Sequence, residues 1–277
     1  MLLKLGHSPD PDDAFMFYAL AQACIDTEGL QFEHILQDIE TLNQRAERSE
    51  LDITALSVHA YAYLHDRYQV LPHGASMGDG YGPLFVARTP MAAAALRGAR
   101  IAVPGLRTSA YLAARLAVPE FEPVVVPFDR IMEHVRAGHS DAGLLIHEGQ
   151  LTYAAEGFHK VLDLGEWWRD ATGGLPLPLG VNAVRRDLPP DVKRRLVRVL
   201  GASIRYALAH RAPAVQHAMR WGRGLDTPTA DRFIGMYVNE LTEDLGARGR
   251  EGIREFLARG AAAGLVPGPI PVDFATA

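Results

Sequence analysis

One cysteine, Cys24, serves the whole chain of 277 residues, which rules out an internal disulfide and a thiolate metal cluster. Its neighbours Ala19, Leu20 and Ala23 make it a core position rather than a reactive thiol. Positive charge is not in excess either: 28 basic residues stand against 33 acidic ones, net −5, and they are spread along the chain. Nucleic acid is therefore not an expected partner. No apolar run approaches the ~20 residues that cross a bilayer, so neither is a membrane. Met1-Leu2-Leu3-Lys4-Leu5 lacks the charged region and long apolar segment of a secretory leader, and a cytoplasmic location is expected. Several catalytic signatures are missing as well. His147-Glu148 is followed by Leu151 where a zinc-protease helix needs a second histidine, and no serine lies in a Gly-x-Ser-x-Gly elbow. Gly78-Asp79-Gly80-Tyr81-Gly82 lacks the Lys-Ser/Thr of a phosphate loop and runs toward a strand instead of a helix.

What is present is a chain 48% hydrophobic, enough for one large core or two modest ones. Short apolar runs that read as strands, at residues 2–5, 32–36, 53–56, 84–87, 100–103, 124–126, 142–146, 161–164 and 180–184, alternate with segments of helical spacing. From residue 190 onward the pattern is helical, in four segments at 190–210, 212–221, 229–241 and 249–263. Connectors at Arg88-Thr89-Pro90 and at 175–179, where prolines alternate with leucines, divide the pattern. The expected fold is α/β in two domains: residues 1–88 with 180–277 as a discontinuous first domain, and 89–179 inserted as a second. This resembles the type II periplasmic binding protein architecture, in which two domains close on a ligand cleft.

The loops after the strands carry the candidate site, because ligands of α/β sheets gather beyond the carboxyl ends of strands. Asp10 can cap a helix with Pro11 at its first position, with Asp12 and Asp13 complementing the helix dipole; Phe15, Met16, Ala19, Leu20 and Ala23 form its apolar stripe. Ser57 can cap a helix over 58–64 or touch a ligand. Thr108 and Ser109 open an alanine-rich helix whose first amides lack partners, so they can hold an anion or simply cap the helix. Trp167 and Trp168 read as core, or as the lining of an aromatic pocket. His147 ends the apolar run 142–146, and imidazole titrates near ~6.5, so it suits proton abstraction at neutral pH.

Four segments carry a closer resemblance. Ser8-Pro9-Asp10-Pro11-Asp12-Asp13-Ala14-Phe15-Met16-Phe17, Asp38-Ile39-Glu40-Thr41-Leu42-Asn43, Ile146-His147-Glu148 and the Leu-Pro-Leu-Pro-Leu-Gly stretch are together similar to the 1,4-dihydroxy-6-naphthoate synthases of the futalosine route to menaquinone. The resemblance implies a lyase that cleaves a small-molecule substrate, cyclic dehypoxanthinyl futalosine, with a histidine as proton acceptor and no cofactor or metal. It implies His147 as that base, and Ala55, Leu56, Ser57, Ser109 and Ala110 as substrate contacts. The chain departs from the family at Asp10, Asp12, Ala14 and Ala55, where Cys, Asn, Thr and Lys are common. The alternatives are the chorismate dehydratase of the same route and a non-catalytic cytoplasmic binding protein.

Overall fold

A computed structural model describes residues 1–277. Eleven strands form two sheets: β1 (Leu2–His7), β2 (Gln31–Leu36), β3 (Ile53–Ser57), β4 (Tyr68–Val70), β5 (Ser76–Gly78), β6 (Leu84–Ala87), β7 (Arg100–Val103), β8 (Glu122–Val125), β9 (Ala142–Leu145), β10 (His159–Asp163) and β11 (Leu177–Arg185). The first sheet runs β2-β1-β3-β11-β4, with β5 also on β11; the second runs β10-β6-β9-β7-β8. In the first, β1 is parallel to β2 and β3, whereas the returning β11 is antiparallel to β3, β4 and β5. In the second, β9 is parallel to β7 and antiparallel to β6.

Local sequence explains the placements. β9 is Ala-Gly-Leu-Leu, buried throughout, as a strand covered on both faces must be. Its Gly143 is required by packing: a Cβ there would lie 2.5 Å from Ile131 Cγ2 of the helix Ile131–Arg136. In β1 the alternation is that of a half-covered strand, with Leu3 and Leu5 buried and Leu2 60% exposed. The long helix Pro190–Ala209 lays Leu196, Leu200 and Ile204 on the core beneath β1 with Phe15 and Met16. A larger core of 34 residues passes between the sheets, joining Leu56, Tyr61 and Met77 to Phe85, Val103, Leu112 and Trp168, closed over by the helix Gly246–Ala262. The two halves are thus packed together behind the cleft.

The boundaries between halves differ from the expected ones. β6 belongs to the second sheet, between β10 and β9, so the chain crosses at 78–83 and not at Arg88-Thr89-Pro90. β11 begins at Leu177 on β5, so the proline-leucine stretch is strand, and the return crossing runs through the helix Leu164–Thr172 and residues 173–176. Prolines are tolerated there because the pairing is irregular between Pro178 and Gly180. The two crossings touch: a Cβ on Gly165 would lie 2.0 Å from the Tyr81 carbonyl oxygen, and one on Gly82 would lie 2.8 Å from the Gly165 nitrogen. This close backbone approach accounts for the glycine-rich stretch. The helix expected after Asp10 is two short ones, Pro11–Met16 and Tyr18–Ala21, and Cys24 beyond them is only half-buried. The helix after Ser57 is short, Val58–Tyr61, and no helix is long and apolar enough to cross a membrane.

Candidate active site

Between the sheets lies a cleft of about 720 Å³, open solvent at its mouth included. The first half contributes the loop after β1, the end of β3, Gly180 and Val181 of β11, and Phe233 and Tyr237 of the helix Thr227–Tyr237; the second contributes Thr108 to Ala110, Ile146, His147 and Gln150. Ala55, Ser57, Ser109, Ala110 and His147 therefore line one cavity. Leu56 does not. Successive residues of a strand face opposite ways, and with Ala55 and Ser57 on the cleft Leu56 points down into the shared core.

Ser57 does not cap its helix by a side-chain bond. Its Oγ accepts from Asn43 Nδ2 and its N–H donates to Asn43 Oδ1, both at 3.0 Å, so a buried amide on the helix Ile39–Glu47 fixes the serine and leaves it a hydroxyl proton to give. Ser109 Oγ accepts from the His59 N–H at 3.2 Å and donates to the Leu179 carbonyl, bridging the two halves. Thr108 Oγ1 caps its helix, accepting from the Tyr111 N–H at 3.2 Å. With both hydroxyls engaged, what this helix start can offer an anion is the amides of its first turn. Neither Trp167 nor Trp168 reaches the cleft: Trp168 is fully buried and donates to the Pro176 carbonyl at 3.1 Å.

The loop after β1 is acidic and buried. Asp10 caps the helix Pro11–Met16, accepting from the Asp13 N–H at 3.3 Å, and Asp13 accepts from the Ser8 N–H at 2.6 Å. Burial pushes the Asp10 carboxyl up, but the His147 ring beside it and hydrogen bonds from its own loop outweigh that and hold it below the ordinary carboxylate value. Burial, together with the Asp10 charge, pushes Asp12 and Asp13 well above theirs. Three acids of one loop are thus pushed in opposite directions.

His147 follows β9 with φ at 56°, a left-handed backbone that costs a non-glycine residue about 1–2 kcal/mol. The strain turns the ring into the cleft: Nδ1 lies 3.2 Å from Asp10 Oδ2, and the ring meets Phe128 at 4.7 Å between centroids. Next to it, Glu148 takes Arg223 at 2.9 and 3.2 Å, while Arg223 also donates to the Pro9 carbonyl at 2.9 Å and lies over Phe128. Gln150 Oε1 accepts from the buried Tyr237 hydroxyl at 2.6 Å. Nothing in sequence order ties Asn43, Phe128, Gln150, Arg223 and Tyr237 to the site; of the five, only Asn43 lies within a segment that carries the family resemblance.

Three buried side-chain atoms on the cleft have no protein partner: Ser8 Oγ, Asp12 Oδ1 and His147 Nε2. Buried polar atoms are rarely left so, and three in one cleft, two from the first half and one from the second, mark where a polar ligand makes its hydrogen bonds.

Comparison with known proteins agrees with a biosynthetic site. Residues 3–262 match the family model described as menaquinone biosynthesis. The chain is similar to two 1,4-dihydroxy-6-naphthoate synthases, from Thermus thermophilus (41% identity over 271 residues) and Streptomyces coelicolor (41% over 280), each alignment covering 98% of both chains. A crystal structure from Archaeoglobus fulgidus superposes with TM-score 0.92 at 47% identity, covering 96% of this chain and 98% of that one. An alkanesulfonate-binding protein from Xanthomonas axonopodis matches at TM-score 0.70 with 14% identity, covering 98% and 96%, a likeness of fold alone.

Proposed function

The chain belongs to the menaquinone biosynthesis family and is an enzyme of two-domain periplasmic-binding-protein fold; from this premise we propose that it is a 1,4-dihydroxy-6-naphthoate synthase acting on cyclic dehypoxanthinyl futalosine. The observation that carries the reading is His147 Nε2, an unpartnered ring nitrogen inside the cleft. A base so placed removes a proton beside a carbonyl of the substrate. The electrons left behind flow out through the bond that breaks, and aromatisation of the naphthoate drives the step, so one base in a water-poor cleft suffices. The substrate spans both halves in this reading. Ser57 donates from the first, and the amides at Ser109 and Ala110 hold an anionic group from the second.

Incubation with cyclic dehypoxanthinyl futalosine, followed by the absorbance of the naphthoate, tests the proposal. Turnover supports it. Binding without turnover, or turnover of chorismate instead, overturns it in favour of a solute-binding protein or a dehydratase.

A further inference from the structure

The Nδ1 nitrogen of His147 and the carboxylate of Asp10 meet at 3.2 Å across the cleft, one from the loop after β9 and the other from the loop after β1. We infer that Asp10 is a positioning residue for the base: it fixes the proton of His147 on Nδ1, leaves the Nε2 lone pair toward the substrate, and does so only when the two halves are together. The inference rests on the proton-abstraction reading above.

An imidazole that is to accept a proton at Nε2 must carry its own on Nδ1, and an ionised carboxylate can only accept, so the pair admits one tautomer. Asp10 is the acid placed to do this. Asp13 is committed to the Ser8 amide, Glu148 is committed to Arg223, and Asp12 presents an unpartnered oxygen to the cleft. The Asp13 N–H donates to Asp10 Oδ1 and favours its ionised form whatever the state of the ring. Asp10 is 2% exposed, so its attraction for a proton on the ring 3.2 Å away is little weakened by solvent. The second nitrogen of the same ring is buried and unpartnered, as the arrangement requires. Phe128, against the ring at 4.7 Å, limits its rotation.

Asp10 also caps the helix Pro11–Met16, and serine caps about as well as aspartate while its shorter side chain does not reach the ring. Asp10→Ser therefore separates the two roles. It should lower kcat about 100-fold, leave KM within about threefold and barely move Tm, as expected when a general base loses its orientation but not its place. Asp10→Glu, which keeps the charge, should recover part of the lost kcat. In the 15N-labelled protein at pH 8, the His147 ring, assigned by its disappearance in His147→Asn, should show the proton on Nδ1; in Asp10→Ser it should revert to the Nε2–H form that a free histidine side chain favours. Near wild-type kcat in Asp10→Ser overturns the inference, as does an Nε2–H ring in the unmutated protein. The tautomer is read without turnover, so a wild type inactive on the futalosine would refute the proposed function while the ring nitrogens still decide the role of Asp10.

Discussion

His147 is strained and half-paired, with its free ring nitrogen buried, three properties that protein side chains seldom combine without a use. His147→Asn should fold, bind substrate and lose at least ~100-fold in turnover, as when a general base is removed; single-turnover rates near wild type would sink its role. Two other histidines matter for stability. Burial, aided by His34 in the first case and offset by the Thr108 carbonyl in the second, lowers His7 and His59 from 6.5 to about 4. Between those values the unfolded chain binds a proton that the folded chain refuses, so stability is full above pH 6.5 and is lost as pH falls toward 4. Each should cost about 2 kcal/mol between pH 7 and pH 5. Asp12 and Asp13, raised, act with the opposite sign, so the histidine contribution is isolated by difference. Urea unfolding of His59→Gln should show a pH dependence flatter than wild type by about that amount, and equal slopes would refute it.

At the scale of elements, Arg223 joins three things that sequence order keeps apart: the Pro9 carbonyl, Glu148 and the face of Phe128. An exposed ion pair contributes little, but here Nη1 reaches both Glu148 oxygens, Nη2 holds the Pro9 carbonyl and the guanidinium lies over Phe128, so its loss should be worth about 1 kcal/mol. Arg223→Ala should raise KM roughly fivefold, with kcat nearly unchanged and faster hydrogen exchange in residues 147–153; unchanged exchange there would show that the arginine clasps nothing. Such pairings are what sequence could not reveal. The β9 strand and the histidine after it were legible, because an apolar run bounded by Asp141 and Gly149 identifies itself. Asp10 was legible as a cap, since capping is local. Its second partner, His147, lies in the other half of the molecule. β6 was legible as a strand but went to the wrong domain, because an apolar run of four residues says nothing about which sheet will receive it. From sequence Ser57 is a cap or a ligand contact, and its partner Asn43 is visible only where β3 and the helix Ile39–Glu47 lie side by side.

For the whole molecule, the crossings at 78–83 and 164–176 are where rotation of the halves must be absorbed, while the core behind the cleft keeps them in contact. Saturation with 1,4-dihydroxy-6-naphthoate should reduce the radius of gyration in solution scattering and protect the loops after β1 and β9 from exchange; if neither changes, the cleft is rigid. The contact between Gly82 and Gly165 has a meaning for any such motion. A loop pressed backbone to backbone against a helix start ties the two crossings together, so any rotation of the halves turns them as a pair. The imidazole and its carboxylate sit on opposite halves, so their 3.2 Å contact reports whether the cleft is shut: a solute that held the halves apart would part Asp10 from His147.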